Sequence, residues 1–160
     1  NSQGFEGAFN WITPLPGLAF NTAVAYTLAL TQVPFNSTGG EVPAGTQMAA
    51  TPRWQTAVTA SYTHYFGGWV SALALTDTYS GKAYNDMNHT HAIYDASLLN
   101  VDLSVSRPDW SFAPALAVGI NNLTDRRELV GFTAGTSLQT DQTIYNRPRS
   151  LSLRLTAEFK

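Results

Sequence analysis

The chain has 160 residues, only 12% of them charged, with a net charge of −2 and no cysteine. Soluble domains carry roughly 25% charged residues, so a well-solvated charged surface is missing. The acidic balance excludes a basic nucleic-acid binder, and the missing thiols exclude a disulfide framework, a thiolate metal site and a cysteine nucleophile. No run of about 18 apolar residues occurs, so no transmembrane helix is expected.

Alternation of apolar and polar residues marks a strand with two unlike faces, and it predicts seven strands. The first, Ser2–Thr13, sets Phe5, Phe9 and Trp11 against Glu6, Ala8 and Asn10. "PLPG" at Pro14–Gly17 is a tight turn. The second strand, Leu18–Thr31, sets Leu18, Phe20, Val24, Tyr26 and Leu28 against Ala19, Asn21, Ala23 and Ala25. A long connection, Gln32–Pro52, leads to the third, Arg53–Phe66, and "GG" at Gly67–Gly68 turns into the fourth, Trp69–Tyr79, which alternates poorly. A second long connection, Ser80–Ala92, precedes the fifth strand, Ile93–Arg107, where Leu99, Val101, Leu103 and Val105 oppose Asn100, Asp102, Ser104 and Ser106. "PD" at Pro108–Asp109 reads as a third tight turn into the sixth, Trp110–Asn122. After the third long connection, Leu123–Asn146, the last strand runs over Ser150–Phe159, with Leu151, Leu153 and Leu155 alternating with Ser152, Arg154 and Thr156. No segment of helical length has a 3.6-residue apolar period.

Short and long connections alternate strictly, and long unstructured loops are uncommon in soluble domains. A transmembrane β-barrel has this pattern, with short turns on one side of the membrane and long loops on the other. The predicted strands suit the roughly 9–11 residues a tilted membrane strand needs. Trp11, Trp69 and Trp110 lie beside the tight turns, joined by Phe66, Phe112 and Phe159, whereas Phe5, Trp54, Tyr79 and Tyr94 lie at the opposite ends. Two aromatic girdles are expected at two membrane interfaces. Glu6, Asp102, Arg154 and Glu158 share the polar parity, and Asp77 and His64 break it near strand ends. The expected fold class is therefore all-β, an antiparallel transmembrane β-barrel. Seven strands cannot close such a barrel alone, so the chain is expected to be a fragment.

Four segments then resemble one family. "SQGFE" at Ser2–Glu6 is similar to the S-x-G-x-E segment of TonB-dependent outer-membrane receptors, and "ATPRWQ" at Ala50–Gln55 to the Pro-led start of a later barrel strand. "VGINNLTD" at Val118–Asp125 resembles their V-x-N-L-x-D segment, and "RPRSLSLRLTAEF" at Arg147–Phe159 their closing strand. Thr124, Leu129 and Lys160 depart from the family pattern. The resemblance implies that residues 1–160 form the last seven strands of a barrel of about 22, with the plug domain and TonB box absent. It implies import of a scarce ligand, chiefly a ferric siderophore, across the outer membrane of a Gram-negative bacterium, energised by the TonB complex through the plug. It also implies that the terminal aromatic Phe159 is read by the outer-membrane assembly machinery.

Within the long connections, Phe35, Tyr84 and Phe132 are candidates for stacking on a ligand, or for packing the loops themselves. Arg126 and Arg127 suit an anionic chelate, since arginine pairs well with carboxylates, and equally lipopolysaccharide phosphates or loop acids. His89 and His91 in "NDMNHTH" are weak metal candidates with too few ligands for a closed site. No cofactor and no catalytic residue is expected; Glu6, Asp102 and Glu158 read as wall charges of a hydrated lumen. Two alternatives stay open: another outer-membrane barrel, such as an adhesin or enzyme, and a secreted soluble β-sandwich that binds carbohydrate.

Overall fold

The structure, a computed structural model, describes residues 1–133 and 142–159, excluding the side chains of Phe132 and Thr133. Its strands in chain order are β1 (Ser2–Ile12), β2 (Leu18–Ala29), β3 (Phe35–Ser37), β4 (Gly40–Val42), β5 (Trp54–Phe66), β6 (Trp69–Ser80), β7 (Ala83–Tyr84), β8 (Ala92–Ile93), β9 (Ala96–Ser106), β10 (Ala115–Asn121), β11 (Leu129–Thr133), β12 (Gln142–Tyr145) and β13 (Ser150–Thr156). Seven of them form one sheet in the order β1-β2-β5-β6-β9-β10-β13, each neighbour antiparallel. The long connections carry small hairpins, β3–β4, β7–β8 and β11–β12.

Register keeps the two parities apart across the whole sheet. Ala8, Ala23, Ala57, Thr78 and Leu98 lie side by side, and so do their successors on the other face, Phe9, Thr22, Val58, Asp77 and Leu99. Further along, Asp102, Gly119 and Ser152 form one row, and Leu103, Val118 and Leu153 the adjacent row of opposite facing. One face is thus small and polar, the other large and apolar, because strand side chains alternate with a period of two.

Among the described residues, nothing packs on the apolar face. Phe9 is 64% exposed and Leu153 72%, and the buried apolar residues among those described are Val42 and Ala83, both in the loops. Each such large side chain gains about 1.5–3 kcal/mol on leaving water, a gain that only an apolar solvent can supply here. A soluble sandwich would instead bury one face of each of two sheets against the other, about 10 Å apart. That alternative fails on this sheet. In lipid, every backbone polar group must be paired, so the outer edges of β1 and β13 each require a further strand.

Asp77 and His64, which break the parity on the apolar face, have local partners. The Ser97 hydroxyl donates to Asp77 Oδ1 at 2.5 Å. His64 stacks between Tyr62 and Phe66, with centroids 6.2 and 5.8 Å away.

The tight turns follow from their residues. Gly67 and Gly68, with φ of 54° and 83°, make the two-residue β5–β6 turn, the left-handed geometry that twisted hairpins favour. Gly17 has φ 87°, and a Cβ there would stand 2.0 Å from the Thr63 carbonyl oxygen, so the β1–β2 turn can lie against β5 only with glycine.

Three sequence expectations need correction. The third tight turn is not Pro108–Asp109: β10 starts at Ala115, and residues 107–114 form a longer connection closed by the Arg107 N–H donating to the Pro114 carbonyl at 2.9 Å. Pro114, which has no N–H for a ladder, delays the strand, and Trp110 and Phe112 therefore sit in the connection. The last strand ends at Thr156 rather than Phe159; Glu158 N–H donates to the Phe112 carbonyl at 3.1 Å, and Phe159 is 83% exposed. The fifth strand starts at Ala96, since Ile93 pairs with Ala83 in the β7–β8 hairpin.

The facing is testable by site-directed spin labelling, for which the cysteine-free chain is a clean background. In the membrane-inserted protein, a label at Val101→Cys should be quenched by dissolved oxygen and one at Asp102→Cys by a water-soluble nickel chelate. The reverse pattern would mean a one-residue slip in register, which flips every side chain.

Candidate functional site

The residues proposed for ligand contact all come from the three long connections, which emerge at one end of the sheet. The first two interlock. Asn88 hooks the β3–β4 hairpin, with Ser37 Oγ donating to its Oδ1 and its Nδ2 donating to the Gly40 carbonyl at 3.4 Å. His89 Nε2 lies 2.8 Å from the Gln47 carbonyl, and its ring stacks on Tyr84 with centroids 3.8 Å apart and an 8° interplanar angle. Ala50 N–H donates to the Tyr84 carbonyl at 2.7 Å, and Ala49 N–H to Met87 Sδ at 3.3 Å. Lys82 Nζ stands 5.0 Å from the centre of the Tyr84 ring, within cation–π range.

Tyr84 and His89 are therefore parts of the joint between two loops. His91 belongs to a local turn organised by Asp86, whose carboxylate accepts the Thr90 N–H at 3.1 Å, the Thr90 hydroxyl at 2.9 Å and the His91 N–H at 3.0 Å, with His91 Nδ1 at 3.3 Å. Burial disfavours the charged Asp86, but those hydrogen bonds from Thr90 and His91 outweigh it and hold the carboxyl down at about 2. Among the described residues, no group of three or more His, Cys, Asp or Glu is placed to hold a metal ion.

The third connection is tied at its base by Asn122, which is 4% exposed and has φ 52°. Its Nδ2 donates to the Arg126 and Arg147 carbonyls at 2.8 and 3.0 Å, its Oδ1 accepts the Arg126 N–H at 3.1 Å, and its own N–H donates to Asn100 Oδ1 at 2.9 Å. Asp125 Oδ1 accepts the Arg149 N–H at 2.8 Å. The "NLTD" segment thus pins both ends of the loop to the tops of β9 and β13. The Arg126 and Arg127 side chains, each 56% exposed, reach Glu128 and Asp125 only at 3.8 Å.

Of the remaining candidates, Phe35 is 41% exposed on β3. The Phe132 backbone pairs with Thr143 in the β11–β12 hairpin, and its side chain lies outside the described residues. On the polar face of the sheet, Glu6, Ala8, Ala25, Gln55, Thr78 and Leu98 line an open groove of about 720 Å³, to which Val130 of the third connection also contributes.

Aromatic residues form contact clusters at both ends of the sheet. Phe5, Tyr26 and Trp54 meet at the long-loop end, with centroids 4.7–5.8 Å apart. At the short-turn end, Trp110 lies 5.8 Å from Trp69 and 5.3 Å from Phe112, and the Arg107 guanidinium sits 5.4 and 4.9 Å from the Trp69 and Trp110 rings while bonding Asp109 at 3.2 Å. Trp11 stacks on Phe20 at 5.7 Å, and Phe66 faces Trp69 across the Gly67–Gly68 turn.

Solved structures share this arrangement over nearly the whole chain. The ferric preacinetobactin receptor BauA of Acinetobacter baumannii aligns with a TM-score of 0.76 and 18% identity, covering 98% of this chain and 22% of its own. The ferric yersiniabactin uptake receptor FyuA of Yersinia pestis gives 0.76 and 16%, covering 99% and 23%. The fold is that of a stretch of siderophore-receptor barrel. The siderophore receptor PiuA of Acinetobacter baumannii gives 0.68 and 17%, covering 98% and 21%. The chain thus spans less than a quarter of each of these receptors. No family model and no curated protein matches the sequence.

Asn122, Asn88 and Asp86 were not singled out from sequence as fixing the loops of this barrel stretch. Only Asn122 carries a local signal, an asparagine just after a strand, where a left-handed residue suits it. Asn122→Ala should cost about 1–3 kcal/mol, as buried partners lose their bonds, and Asn122→Gly should cost most of that while tolerating φ 52°. Both would appear as faster protease cutting between residues 122 and 149 in the membrane-inserted protein. The Asp86 turn supplies a pH dependence: a carboxyl held at about 2 against an ordinary 3.8 adds stability that is complete above that ordinary value and lost as pH falls through the lower one. Amide exchange at Thr90 and His91 should stay slow, after correction for intrinsic rates, down to about pH 4 and accelerate below it. Asp86→Asn should remove that step.

Proposed function

We propose that this chain is the C-terminal part of the barrel of an outer-membrane receptor that binds and imports a scarce ligand, a ferric siderophore fitting best. The observation that carries the proposal is the match, over 98–99% of the chain, to barrels that are themselves siderophore receptors. A sheet whose apolar face keeps its large side chains exposed agrees with it. The chemistry is binding and gated passage without a covalent step, so no catalytic residue is assigned. Energy comes from the TonB complex, acting on a plug domain that lies N-terminal to the barrel in the resembling family.

Phe35 and Phe132 remain the residues assigned to ligand contact, with Tyr84 acting through the loop joint it makes with His89; Arg126 and Arg127 suit an anionic chelate or lipopolysaccharide phosphates equally. Trp11, Trp54, Phe66, Trp69, Trp110 and Phe112 sit at the two lipid interfaces, the long loops on the outer, lipopolysaccharide side. Phe159, exposed beyond the last strand, is assigned to recognition by the outer-membrane assembly machinery.

Deleting the gene for the complete receptor in its Gram-negative host tests this. Iron-limited growth and radio-iron uptake would be measured with a panel of ferric siderophores. The expected result is loss of uptake of one siderophore class, restored by the intact gene and abolished by a protonophore. Normal uptake of every ferric siderophore, with the protein shown to be expressed, would remove the proposal.

A further inference from the structure

The base of the third long connection gathers charge in a chain that has little of it. Residues 125–128 and 146–149 are zipped together: Asn146 N–H donates to the Glu128 carbonyl at 3.0 Å, Glu128 N–H to Asn146 Oδ1 at 2.8 Å, and Asn146 Nδ2 to the Arg126 carbonyl at 3.0 Å. With the Asn122 bonds to Arg126 and Arg147 and the Asp125 bond to Arg149, this brings Arg126, Arg127, Arg147 and Arg149 into one knot. All four are exposed. They make up nearly half of the chain's nine lysines and arginines.

The acids among the described residues do not neutralise them. Of these, Asp125 and Glu128 are outnumbered by the four arginines, in a chain whose net charge is −2. Asp125 Oδ1 is already taken by a backbone N–H, and the two arginine–carboxylate pairs stand at 3.8 Å, beyond hydrogen-bond reach. The guanidinium groups keep donors for a further oxyanion, and phosphate suits their forked geometry.

Position in the sheet selects the source of that anion. Position 149 directly precedes β13 and has the parity of Leu151, Leu153 and Leu155, which are 74%, 72% and 79% exposed on the apolar face. The knot therefore caps the lipid-suited face at its long-loop end, where acyl chains give way to headgroups. The open groove lies on the opposite, polar face.

We propose that Arg126, Arg127, Arg147 and Arg149 form a binding site for the phosphate of a phosphorylated glycolipid in the outer leaflet. The site rests on the outer-membrane reading of the chain, and it anchors the base of the third loop to the membrane surface. The Asn122 hydrogen bonds make it a positioning residue, since they fix the spacing of the two arginine pairs.

The test uses the complete receptor in nanodiscs, with lipid A and enzymatically dephosphorylated lipid A as probes. Binding would be read by native mass spectrometry and by thermal midpoint. The protein should bind and be stabilised by phosphorylated lipid A only, with weakening at high salt. Arg147→Gln with Arg149→Gln, and all four arginines changed to glutamine, should weaken binding on the order of tenfold for each charge-assisted hydrogen bond removed, with the heat-modifiable barrel intact. Equal binding of both lipid A forms, or unchanged binding by the fourfold variant, would overturn the proposal. Loss of siderophore binding with lipid A binding unchanged would also overturn it, assigning the knot to the transported ligand. Failure of the receptor to insert in membranes at all would instead remove the outer-membrane reading beneath it.

Discussion

The apolar face of the sheet has nothing among the described residues to rest on, and the rest of the molecule is arranged around that. Folding in water depends on burying apolar surface, and here large side chains such as Phe9, Leu103 and Leu153 stay open while the small residues Val42 and Ala83 are the buried apolar ones among those described. A hydrocarbon solvent removes the difficulty without any packing. It imposes another in return, because every ladder must be complete. That is why strand register is continuous over seven strands, why Asp77 and His64 on the lipid-suited face come with partners (Ser97 for one, two aromatics for the other), and why the two outer edges call for further strands.

The same solvent boundary shapes the two ends differently. At the short-turn end, glycines and a proline-bounded connection bring the chain around quickly, and Arg107 is laid over Trp69 and Trp110 so that its charge has both a carboxylate and aromatic faces. At the other end the connections are long, and their order comes from amide side chains: Asn88 joins the first loop to the second, and Asn122 and Asn146 close the base of the third. Asparagine serves this well because it both donates and accepts, and it tolerates the left-handed backbone found at Asn122. A surface built this way presents a few side chains, Phe35 and the arginines among them, from loops fixed at their bases.

Much of the candidate site was hidden from the sequence for one reason. His89, His91 and Tyr84 have the chemistry of ligands, and the chain order alone does not say what lies opposite them. The structure puts a carbonyl from the first loop against His89 Nε2 and an imidazole against one face of Tyr84, contacts that chain order does not reveal. Arg126 and Arg127 were visible as a pair, but Arg147 and Arg149 join them only through bonds spanning more than twenty residues of sequence. The delayed start of β10 was misread because Trp110, Phe112 and Leu116 keep the alternating parity through Pro114, although that residue cannot pair.

By itself the sequence determined the class of solvent and the path of the wall. A two-residue period needs no tertiary information, since facing follows from chain geometry, and glycine and proline mark turns through their own backbone limits. That was enough for the seven strands and for the alternation of shorter and longer connections between them. Tertiary structure alone decided what the loops do with their polar residues. Hydrogen bonds between distant segments depend on where strand tilt and register bring the loop bases, and those are properties of the assembled sheet. Asn88, Asn122 and Asp86 became joints, and four arginines came together, only once seven ladders had fixed the positions from which the loops start.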